Sequence, residues 1–310
     1  MNRSDVFVGV DGGGSRSLAL VLDAHGAELA RMEGGPGAVS AGHIEAVTTH
    51  LVSLVSHALR TAGHAPPAGS LVCGLAGAGA PGVAARLVQR LTDAALAHHA
   101  HVCTDAEVAH YDAFEAGPGM LLISGTGSIA WGRSDDGRTG RVGGWGPLLG
   151  DEGSGFAIGL AALRAVVRAA DGRARPTALT DVVARHTGAA VPESLVVWAG
   201  SAERRAIALL APAVLEAAEA DATAGDIMER AVLALAGHVS ALHARLDPWR
   251  QPPAIAFAGS LLTPGTPLRA ALESSPLLAR PDLVLLESTV FPARGAARMA
   301  IGRSSSQGSL

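Results

Sequence analysis

The stretch VFVGVDGGGSRSLALVLD, residues 6–23, sets two apolar runs on either side of a glycine-rich turn. Val6–Val10 is rich in β-branched residues, and Leu18–Leu22 is a second run of strand length. Between them, Asp11-Gly12-Gly13-Gly14-Ser15 carries more glycine than a two-residue turn needs. The stretch therefore predicts a β-hairpin with a tip of small residues.

Strands and helices alternate after this hairpin, as in an α/β fold. The predicted strands lie at 71–75 and 101–104, and the predicted helices at 44–62, 82–98 and 106–115. A second apolar run, Met120–Ser124, then enters another small-residue turn, Gly125-Thr126-Gly127-Ser128. Because both halves begin with such a hairpin, we expect two α/β lobes of related architecture around a cleft.

The expected domain boundaries follow from the position of this second hairpin. We expect a first lobe at 1–118 and a second lobe with a helical insertion at 119–289. A helix at 290–302 is expected to pack back on the first lobe, and the serine-rich tail at 303–310 is expected to be disordered.

The composition of the 310 residues excludes several classes of function. The 24 basic residues are all arginine, so the chain cannot carry the lysine of a Walker P-loop, of a protein kinase or of a Schiff-base enzyme. A net charge of −4 argues against general binding to nucleic acid or to an anionic membrane. We expect a cytoplasmic protein, since neither a signal-peptide core nor an apolar run of about 20 residues occurs.

Both glycine-rich turns suit the binding of phosphate. Glycine lets the backbone adopt a positive φ and approach a ligand closely, so that consecutive N–H groups can converge on an anion. Ser15 and Thr126 add hydroxyl donors, and Asp11 suits Mg²⁺ held through water. A plain glycine hairpin is the alternative for each turn taken alone.

Two further segments combine small residues with an acid. Asp105 stands where a strand gives way to a helix, so it is either a helix cap or a ligand-facing acid at the carboxyl end of the strand. Residues 143–155 (GGWGPLLGDEGSG) are rich in glycine and hold a tryptophan and an Asp-Glu pair. Such a segment is either a flexible surface loop or a binding loop for a polyhydroxylated ligand.

Together these segments resemble the N-acetylglucosamine kinase family, within the BadF/BadG/BcrA/BcrD ATPase group of the actin–hexokinase–Hsp70 fold. The resemblance spans about residues 6–300 and is most specific at 143–155. It implies a two-lobed, actin-like (ribonuclease H-like) α/β fold. It also implies transfer of the ATP γ-phosphate to the 6-hydroxyl of an amino sugar, with ATP and Mg²⁺ required and a homodimer as one candidate assembly.

The resemblance also implies roles for individual residues. Asp105 matches the general base, and Ser15 stands where the family usually has threonine. The matched sugar contacts are Thr104, Gly143, Gly144, Trp145 and Asp151. The matched ATP contacts are Gly12, Gly13, Gly14, Ser15, Gly125, Thr126, Gly127, Ala208 and Gly259.

One departure from the family concerns the sugar. The family commonly places an asparagine after the first hairpin, whereas residues 35–40 read GPGAVS and the chain has no asparagine beyond Asn2. Ser40 and His43 are the candidates to replace it. N-acetylglucosamine is the expected substrate, and glucosamine, N-acetylmuramic acid and glucose are the alternatives.

Two other classes of function share this fold. ATPase activators of dehydratases carry cysteines that hold an iron–sulfur cluster at a dimer interface, and Cys73 and Cys103, each among apolar residues, do not resemble that pair. A non-catalytic sugar or nucleotide sensor is the other class, and the retention of Asp105, Asp151 and both turns argues against it. The histidines at 98, 99 and 101 are interpreted as a solvated helix end rather than a metal site.

Overall fold

The chain folds into two compact units. The structure is a computed structural model that describes residues 6–189 and 191–307, and of residues 305–307 it describes the backbone only. One unit comprises Met1–Gly117 together with Val290–Leu310, and the other comprises Pro118–Thr289; they are called unit 1 and unit 2 below.

Unit 1 is a five-stranded sheet with helices on both faces. Its strands are β1 (Val6–Gly12), β2 (Ser17–Asp23), β3 (Glu28–Gly34), β4 (Ala68–Leu75) and β5 (Ala97–Cys103). Its helices are α1 (Ile44–Thr61), α2 (Val83–Asp93), α3 (Asp105–Phe114) and the last helix of the chain, α11 (Pro292–Gln307).

Unit 2 also has five strands, with a larger set of helices. The strands are β6 (Gly119–Ser124), β7 (Ser128–Arg133), β8 (Thr139–Gly143), β9 (Ala254–Ala258) and β10 (Val284–Thr289). The helices are α4 (Gly155–Ala170), α5 (Leu179–Thr187), α6 (Pro192–Ser201), α7 (Arg204–Ala208), α8 (Ala211–Glu216), α9 (Ala222–Leu246) and α10 (Pro267–Ser274).

The two sheets share one strand arrangement. Their strand orders are β3-β2-β1-β4-β5 and β8-β7-β6-β9-β10. In each sheet the first strand pairs antiparallel with the second and parallel with the fourth. Both predicted hairpins are present at equivalent places in these sheets, and the predicted two-lobed α/β fold is confirmed.

Alternate residues of the unit 1 strands enter different apolar clusters. Val8 of β1 lies in one cluster with Leu51 of α1 and Leu87 of α2. Its neighbour Phe7 lies in another cluster, with Val108 of α3. Because successive side chains of a strand point to opposite faces, α1 and α2 cover one face of the sheet and α3 covers the other.

The core of unit 2 is a single large cluster centred on α4 and α9. Fully buried Ala162 of α4 and Leu235 of α9 lie in it with Leu122 of β6 and Ile255 of β9. Within residues 6–189 and 191–307, no helix combines the length and apolar character needed to cross a membrane.

Helix α11 lies directly against strand β1 and helix α3. A methyl group on Gly9 would overlap the backbone of Ala297, and one on Gly295 would overlap the carbonyl oxygen of Val108. A methyl group on Gly74 of β4 would overlap the Val108 side chain. At all three positions there is no space for a side chain larger than the hydrogen of glycine. The glycines therefore determine how closely α11 and α3 pack on the sheet and on each other.

A buried carboxylate also joins α11 to α3. The side chain of Asp112 is 1% exposed and accepts hydrogen bonds from Arg294 at 2.6 Å (Nε) and 2.7 Å (a terminal nitrogen). It accepts a third from the backbone N–H of Phe291 at 2.7 Å. The carboxylate is paired and hydrogen-bonded, as a buried charge must be to avoid a large desolvation cost.

Among the predicted helices, two ends differ most from those in the structure. Helix α2 ends at Asp93 instead of residue 98, because Ala95 adopts a left-handed φ of +51° and the chain from Ala97 joins the sheet as β5. Helix α11 continues to Gln307, so residues 303–307 are helical instead of disordered, and residues 308–310 lie outside the described residues. A helix that has already formed adds further residues at little cost, even where the sequence is rich in serine.

The edge strands β3 and β8 were not predicted from the sequence. Ala30 is the only buried residue of β3, and Gly143 is the only buried residue of β8. Strands with so little burial lack the alternating apolar pattern that marks a strand in the sequence.

The glycine contacts of α11 predict a position-specific loss of stability. Gly295→Ala should lower the free energy of unfolding by about 1–3 kcal/mol, because the methyl group has no space against Val108. Gly302→Ala, in the same helix, should change the free energy of unfolding by less than about 1 kcal/mol. Its methyl group would lie 3.3 Å from the Tyr111 hydroxyl, and alanine favours the helical conformation. Urea unfolding measures the difference, and equal stabilities for the two variants would contradict this packing.

Candidate active site

The first glycine-rich turn joins β1 to β2. It is closed by a hydrogen bond from the Gly13 N–H to the Arg16 carbonyl at 2.9 Å. The run of glycines suggests positive φ angles here, but none of Gly12, Gly13 and Gly14 has one. Gly12 is needed for space, because a methyl group there would lie 2.5 Å from the Leu75 side chain. Gly14 is exposed, and no neighbour would lie within 4 Å of a methyl group on it.

Two acids come together beside this turn, which also holds the half-buried Ser15. Asp11 lies near the end of β1, and Asp105 is the first residue of α3. Loss of hydration and then the negative charge of Asp105 raise the pKa of Asp11 to about 7, while Arg16 acts in the opposite direction. Burial also raises the pKa of Asp105, although the N–H of Ala106 donates to it at 3.0 Å. Both carboxyl groups therefore hold protons more tightly than an exposed aspartate does.

Thr104, and not Asp105, caps helix α3. The Thr104 hydroxyl accepts a hydrogen bond from the Glu107 N–H at 3.2 Å and donates one to the Glu107 carboxylate at 3.1 Å. The first of these bonds satisfies one of the free N–H groups of the helix terminus, and the second holds the Thr104 hydroxyl in place. The carboxylate of Asp105 is thus not needed as the cap, which was the structural alternative for that residue.

The donor set in unit 1 fits a magnesium ion that keeps most of its waters. Within the described ranges, no group of three or more His, Cys, Asp or Glu side chains could form a metal cage, and no ion pair within 4 Å includes Asp11. Mg²⁺ commonly binds through one or two carboxylates, with water and phosphate oxygens as its other ligands. The charge of Asp105 beside Asp11 is the kind of repulsion that a cation relieves.

The segment without the expected asparagine lies against the first turn. The backbone N–H groups of Gly37 and Ala38 donate to the Gly13 carbonyl at 3.0 and 3.1 Å. Farther along it, the exposed side chains of Ser40 and His43 are hydrogen-bonded to each other at 2.9 Å. Ser40 and His43, the candidate replacements for the absent asparagine, are therefore hydrogen-bonded neighbours on unit 1.

The second glycine-rich turn joins β6 to β7 and is braced by helix α4. The Gly125 N–H donates to the Gly127 carbonyl at 2.9 Å. From the start of α4, the N–H of Gly155 donates to the Gly125 carbonyl at 2.8 Å, and the N–H of Phe156 donates to the Thr126 carbonyl at 3.4 Å. In the part of the chain described, the N–H groups of Thr126 and Gly127 donate to no protein acceptor.

Two residues predicted to contact the nucleotide border this turn. Gly259 follows β9 with a φ of +88°, and a methyl group on it would overlap the carbonyl of Ser124. Ala208 ends α7, and its carbonyl oxygen would lie 3.1 Å from a methyl group on Gly155. Unit 2 thus brings together all its predicted nucleotide residues: Gly125, Thr126, Gly127, Ala208 and Gly259.

Asp151 is buried next to the same turn. Its backbone is left-handed, with a φ of +61°, and its side chain is 4% exposed. One carboxylate oxygen lies 3.4 Å from the N–H of Ser128, and the other forms an ion pair with Arg204. An aspartate held in this uncommon conformation with a buried charge is typical of a functional site.

Arg204 was missed by the sequence analysis. It lies 53 residues after Asp151, at the start of α7, and its neighbourhood carries no motif. Its Nε is buried and has no hydrogen-bond partner among the residues described. An ion pair between positions so far apart leaves no local pattern that could have revealed it.

The loop after β8 supplies the other predicted sugar residues. Gly143 and Gly144 have φ angles of +73° and +68°, and a methyl group on Gly143 would lie 2.9 Å from the His238 ring. The fold itself therefore requires glycine here. Trp145 is 63% exposed, and the Arg141 guanidinium lies 4.3 Å from the centre of its ring.

The cysteines and clustered histidines lie outside these sites. Cys73 and Cys103 are buried and free, and burial raises the pKa of Cys73 to about 12. The histidines at 98, 99 and 101 lie on strand β5, not at the helix end expected from the sequence.

Comparison with known proteins identifies the family. A profile of the BadF/BadG/BcrA/BcrD ATPase family matches residues 8–300. The chain belongs to this family. Its two units, each with a small-residue turn after the first strand, are thus those of a BadF/BadG-type ATPase.

Three similar proteins have been given related functions. An N-acetylmuramic acid/N-acetylglucosamine kinase of Clostridium acetobutylicum is 34% identical over 173 residues, a match that spans only 56% of either protein. An N-acetyl-D-glucosamine kinase of Dictyostelium discoideum is 28% identical over 96% of this chain and 98% of its own. A solved structure from Chromobacterium violaceum, a candidate N-acetylglucosamine kinase, has a TM-score of 0.80 and 30% identity over 96% of this chain and 100% of its own.

The raised pKa of Asp11 predicts a pH-dependent gain of stability on its neutralisation. Asp11→Asn should raise the free energy of unfolding at pH 8, where the folded wild type keeps an ionised Asp11 above its pKa of about 7. The gain should vanish towards pH 4, because Asp11 then stays protonated in the folded state and, with an ordinary pKa of 3.8, becomes protonated in the unfolded state too.

Asp23→Asn is a control of opposite sign. Backbone N–H groups, first that of Ala27, lower the pKa of Asp23, so this variant should be less stable than wild type at pH 8. Urea unfolding at pH 4 and pH 8 measures both effects. A loss of stability at pH 8 in the Asp11 variant would show that its carboxylate is not destabilised by its surroundings.

Proposed function

We propose that this family member is an ATP-dependent amino sugar kinase that phosphorylates the 6-hydroxyl of N-acetylglucosamine. The relatives from Clostridium and Dictyostelium are named as kinases of amino sugars, and the second match spans nearly the whole of both chains. The residues that such a reaction needs are present in both units.

The observation that carries the proposal is the state of Asp105. Thr104 caps helix α3, so the carboxylate of Asp105 is available to accept a proton. Its raised pKa makes it a better base than an exposed aspartate. It acts as the general base for the sugar hydroxyl.

The reaction breaks one bond to phosphorus and forms another. The sugar O6 attacks the γ-phosphorus of ATP, the bond from that phosphorus to the ADP oxygen breaks, and the hydroxyl proton passes to the carboxylate of Asp105. The transition state of phosphoryl transfer is loose, so the protein contributes mainly by placing groups and offsetting charge.

Phosphate is bound by the two glycine-rich turns. The first uses Gly12, Gly13, Gly14 and the hydroxyl of Ser15, and the open face of Gly14 suits close approach of a ligand. The second uses Gly125, Thr126 and Gly127, two of whose N–H groups have no protein acceptor within the described ranges. Asp11 would hold Mg²⁺ through water, and the ion, when bound, neutralises charge on the phosphates. Ala208 and Gly259 contact the adenosine.

The sugar is bound mainly by Asp151, which accepts hydrogen bonds from its hydroxyl groups. Thr104, Gly143, Gly144 and Trp145 are the further sugar contacts, with the exposed indole of Trp145 available to pack on a sugar face. Ser40 and His43 take the place of the absent asparagine. Glucosamine, N-acetylmuramic acid and glucose are the alternative acceptors because of that replacement.

A cluster-bearing ATPase activator is the less favoured alternative. Its iron–sulfur cluster needs accessible cysteines, whereas Cys73 and Cys103 are both buried and have raised pKa values. A non-catalytic sensor would have no use for a base with the properties of Asp105.

The proposal predicts sugar-dependent ADP release. With MgATP, N-acetylglucosamine should give the highest kcat/KM among N-acetylglucosamine, glucosamine, N-acetylmuramic acid and glucose. Asp105→Asn should lower kcat by about 10²–10⁴, the usual contribution of a general base. Asp93→Asn removes an exposed acid from the same unit and should leave kcat unchanged. A coupled assay of ADP measures all three proteins.

Three outcomes would contradict the proposal. ADP release without any sugar would indicate an ATPase, and no release with any of the four sugars would indicate a sensor. A kcat for Asp105→Asn within a few-fold of wild type would remove the assignment of the base.

A further inference from the structure

Arg204 forms an ion pair with the buried Asp151 but is itself only partly covered. The side chain of Asp151 is 4% exposed, whereas that of Arg204 is 39% exposed. The pair therefore neutralises the charge of Asp151, and part of the Arg204 side chain remains exposed, where a second anionic group can approach it.

The same guanidinium lies against the second glycine-rich turn. A methyl group on Gly127 would lie 2.8 Å from a terminal nitrogen of Arg204 and 3.2 Å from a carboxylate oxygen of Asp151. A larger residue at position 127 would therefore have to displace the guanidinium, which shows how closely both charged groups approach the turn. The turn, the cation and the acid form one continuous group of contacts within unit 2.

Arg204 also has unused hydrogen-bond donors. A guanidinium has five N–H donors, and one hydrogen bond is made to Asp151. The buried Nε makes none to any described residue. The planar guanidinium suits carboxylate and phosphate oxygens equally well, and in a chain without lysine only arginine can supply such a cation.

We propose that Arg204 binds a phosphate oxygen of the nucleotide while it holds Asp151, and so couples the binding of nucleotide and sugar. This inference rests on the proposed function, which assigns phosphate to the turn and sugar to Asp151. Without Arg204, the negative charges of the polyphosphate and of Asp151 would repel each other across Gly127. With it, the first ligand to bind orders the Arg204–Asp151 pair, and the second ligand no longer has to order it. Each ligand then strengthens the binding of the other by the same factor.

Calorimetric titration tests the coupling in the whole protein. The dissociation constant of N-acetylglucosamine is measured with and without saturating Mg²⁺ and a non-hydrolysable ATP analogue, and the converse titration must give the same factor. In wild type we expect the analogue to strengthen sugar binding about fivefold or more. In Arg204→Gln the factor should fall to one or below.

Two further variants separate this role from simple support of Asp151. Arg205→Gln removes a neighbouring exposed arginine from the same helix and should keep the wild-type factor. Arg204→Lys keeps the charge but not the planar set of donors, so its factor should fall at least threefold even if Arg204→Gln does not fold. Thermal unfolding of each variant reports whether it is folded.

Each unfavourable result has a distinct meaning. A coupling factor that is unchanged in Arg204→Gln or Arg204→Lys, with only the sugar affinity reduced, would overturn the proposal and leave Arg204 as a support for Asp151. A wild-type factor of one would overturn it as well. Both results are compatible with a wild-type protein that phosphorylates sugar. Failure of the proposed function would appear instead as a wild-type protein that phosphorylates no sugar.

Discussion

The placement of Asp105 depends on close backbone packing around helix α3. Gly74 of the sheet leaves room for the side chain of Val108, and Gly295 of α11 lets that helix approach the Val108 carbonyl. The buried Asp112–Arg294 ion pair then fixes the far end of α3. Since a packed core is not easily deformed, these contacts hold the first residue of the helix beside Asp11.

Buried negative charge is balanced differently in the two units. Asp151 of unit 2 is neutralised by an arginine of its own unit. In unit 1 the charge of Asp105 instead contributes to raising the pKa of Asp11, and within the described ranges no ion pair involves either acid. Asp151 is thus placed to accept hydrogen bonds from a ligand, whereas Asp11 and Asp105 favour binding a proton or a cation. This division suits a reaction in which one ligand is neutral and rich in hydroxyl groups, and the other is a polyphosphate.

The sequence predicted well what depends on local pattern. Both hairpins, their small-residue turns and the position of Asp105 follow from apolar runs and glycine spacing that can be read directly. The expectation of positive φ angles in the first turn was wrong, because Gly12 is required by its neighbour Leu75 and not by a positive φ. Such packing between separate segments has no local signal.

Structural features that depend on contacts between distant residues could not be predicted from the sequence. The partner of Asp151, Arg204, lies 53 residues along the chain in a helix without a motif. Edge strands such as β3 bury too little to show an alternating pattern, and α2 ends early because Ala95 alone takes a left-handed conformation. Each of these features is determined by tertiary contacts or by a single backbone angle. Patterns in a single sequence carry no information about either.

The chemical identity of the product provides the most direct test. Phosphorus–proton correlation NMR of a reaction with MgATP and N-acetylglucosamine reports which sugar oxygen carries the phosphate. We predict a correlation from the new phosphorus signal to the two protons on C6, with ADP formed in equal amount. A phosphate on the anomeric oxygen, or inorganic phosphate without any sugar phosphate, would contradict the assignment of this protein as an amino sugar 6-kinase.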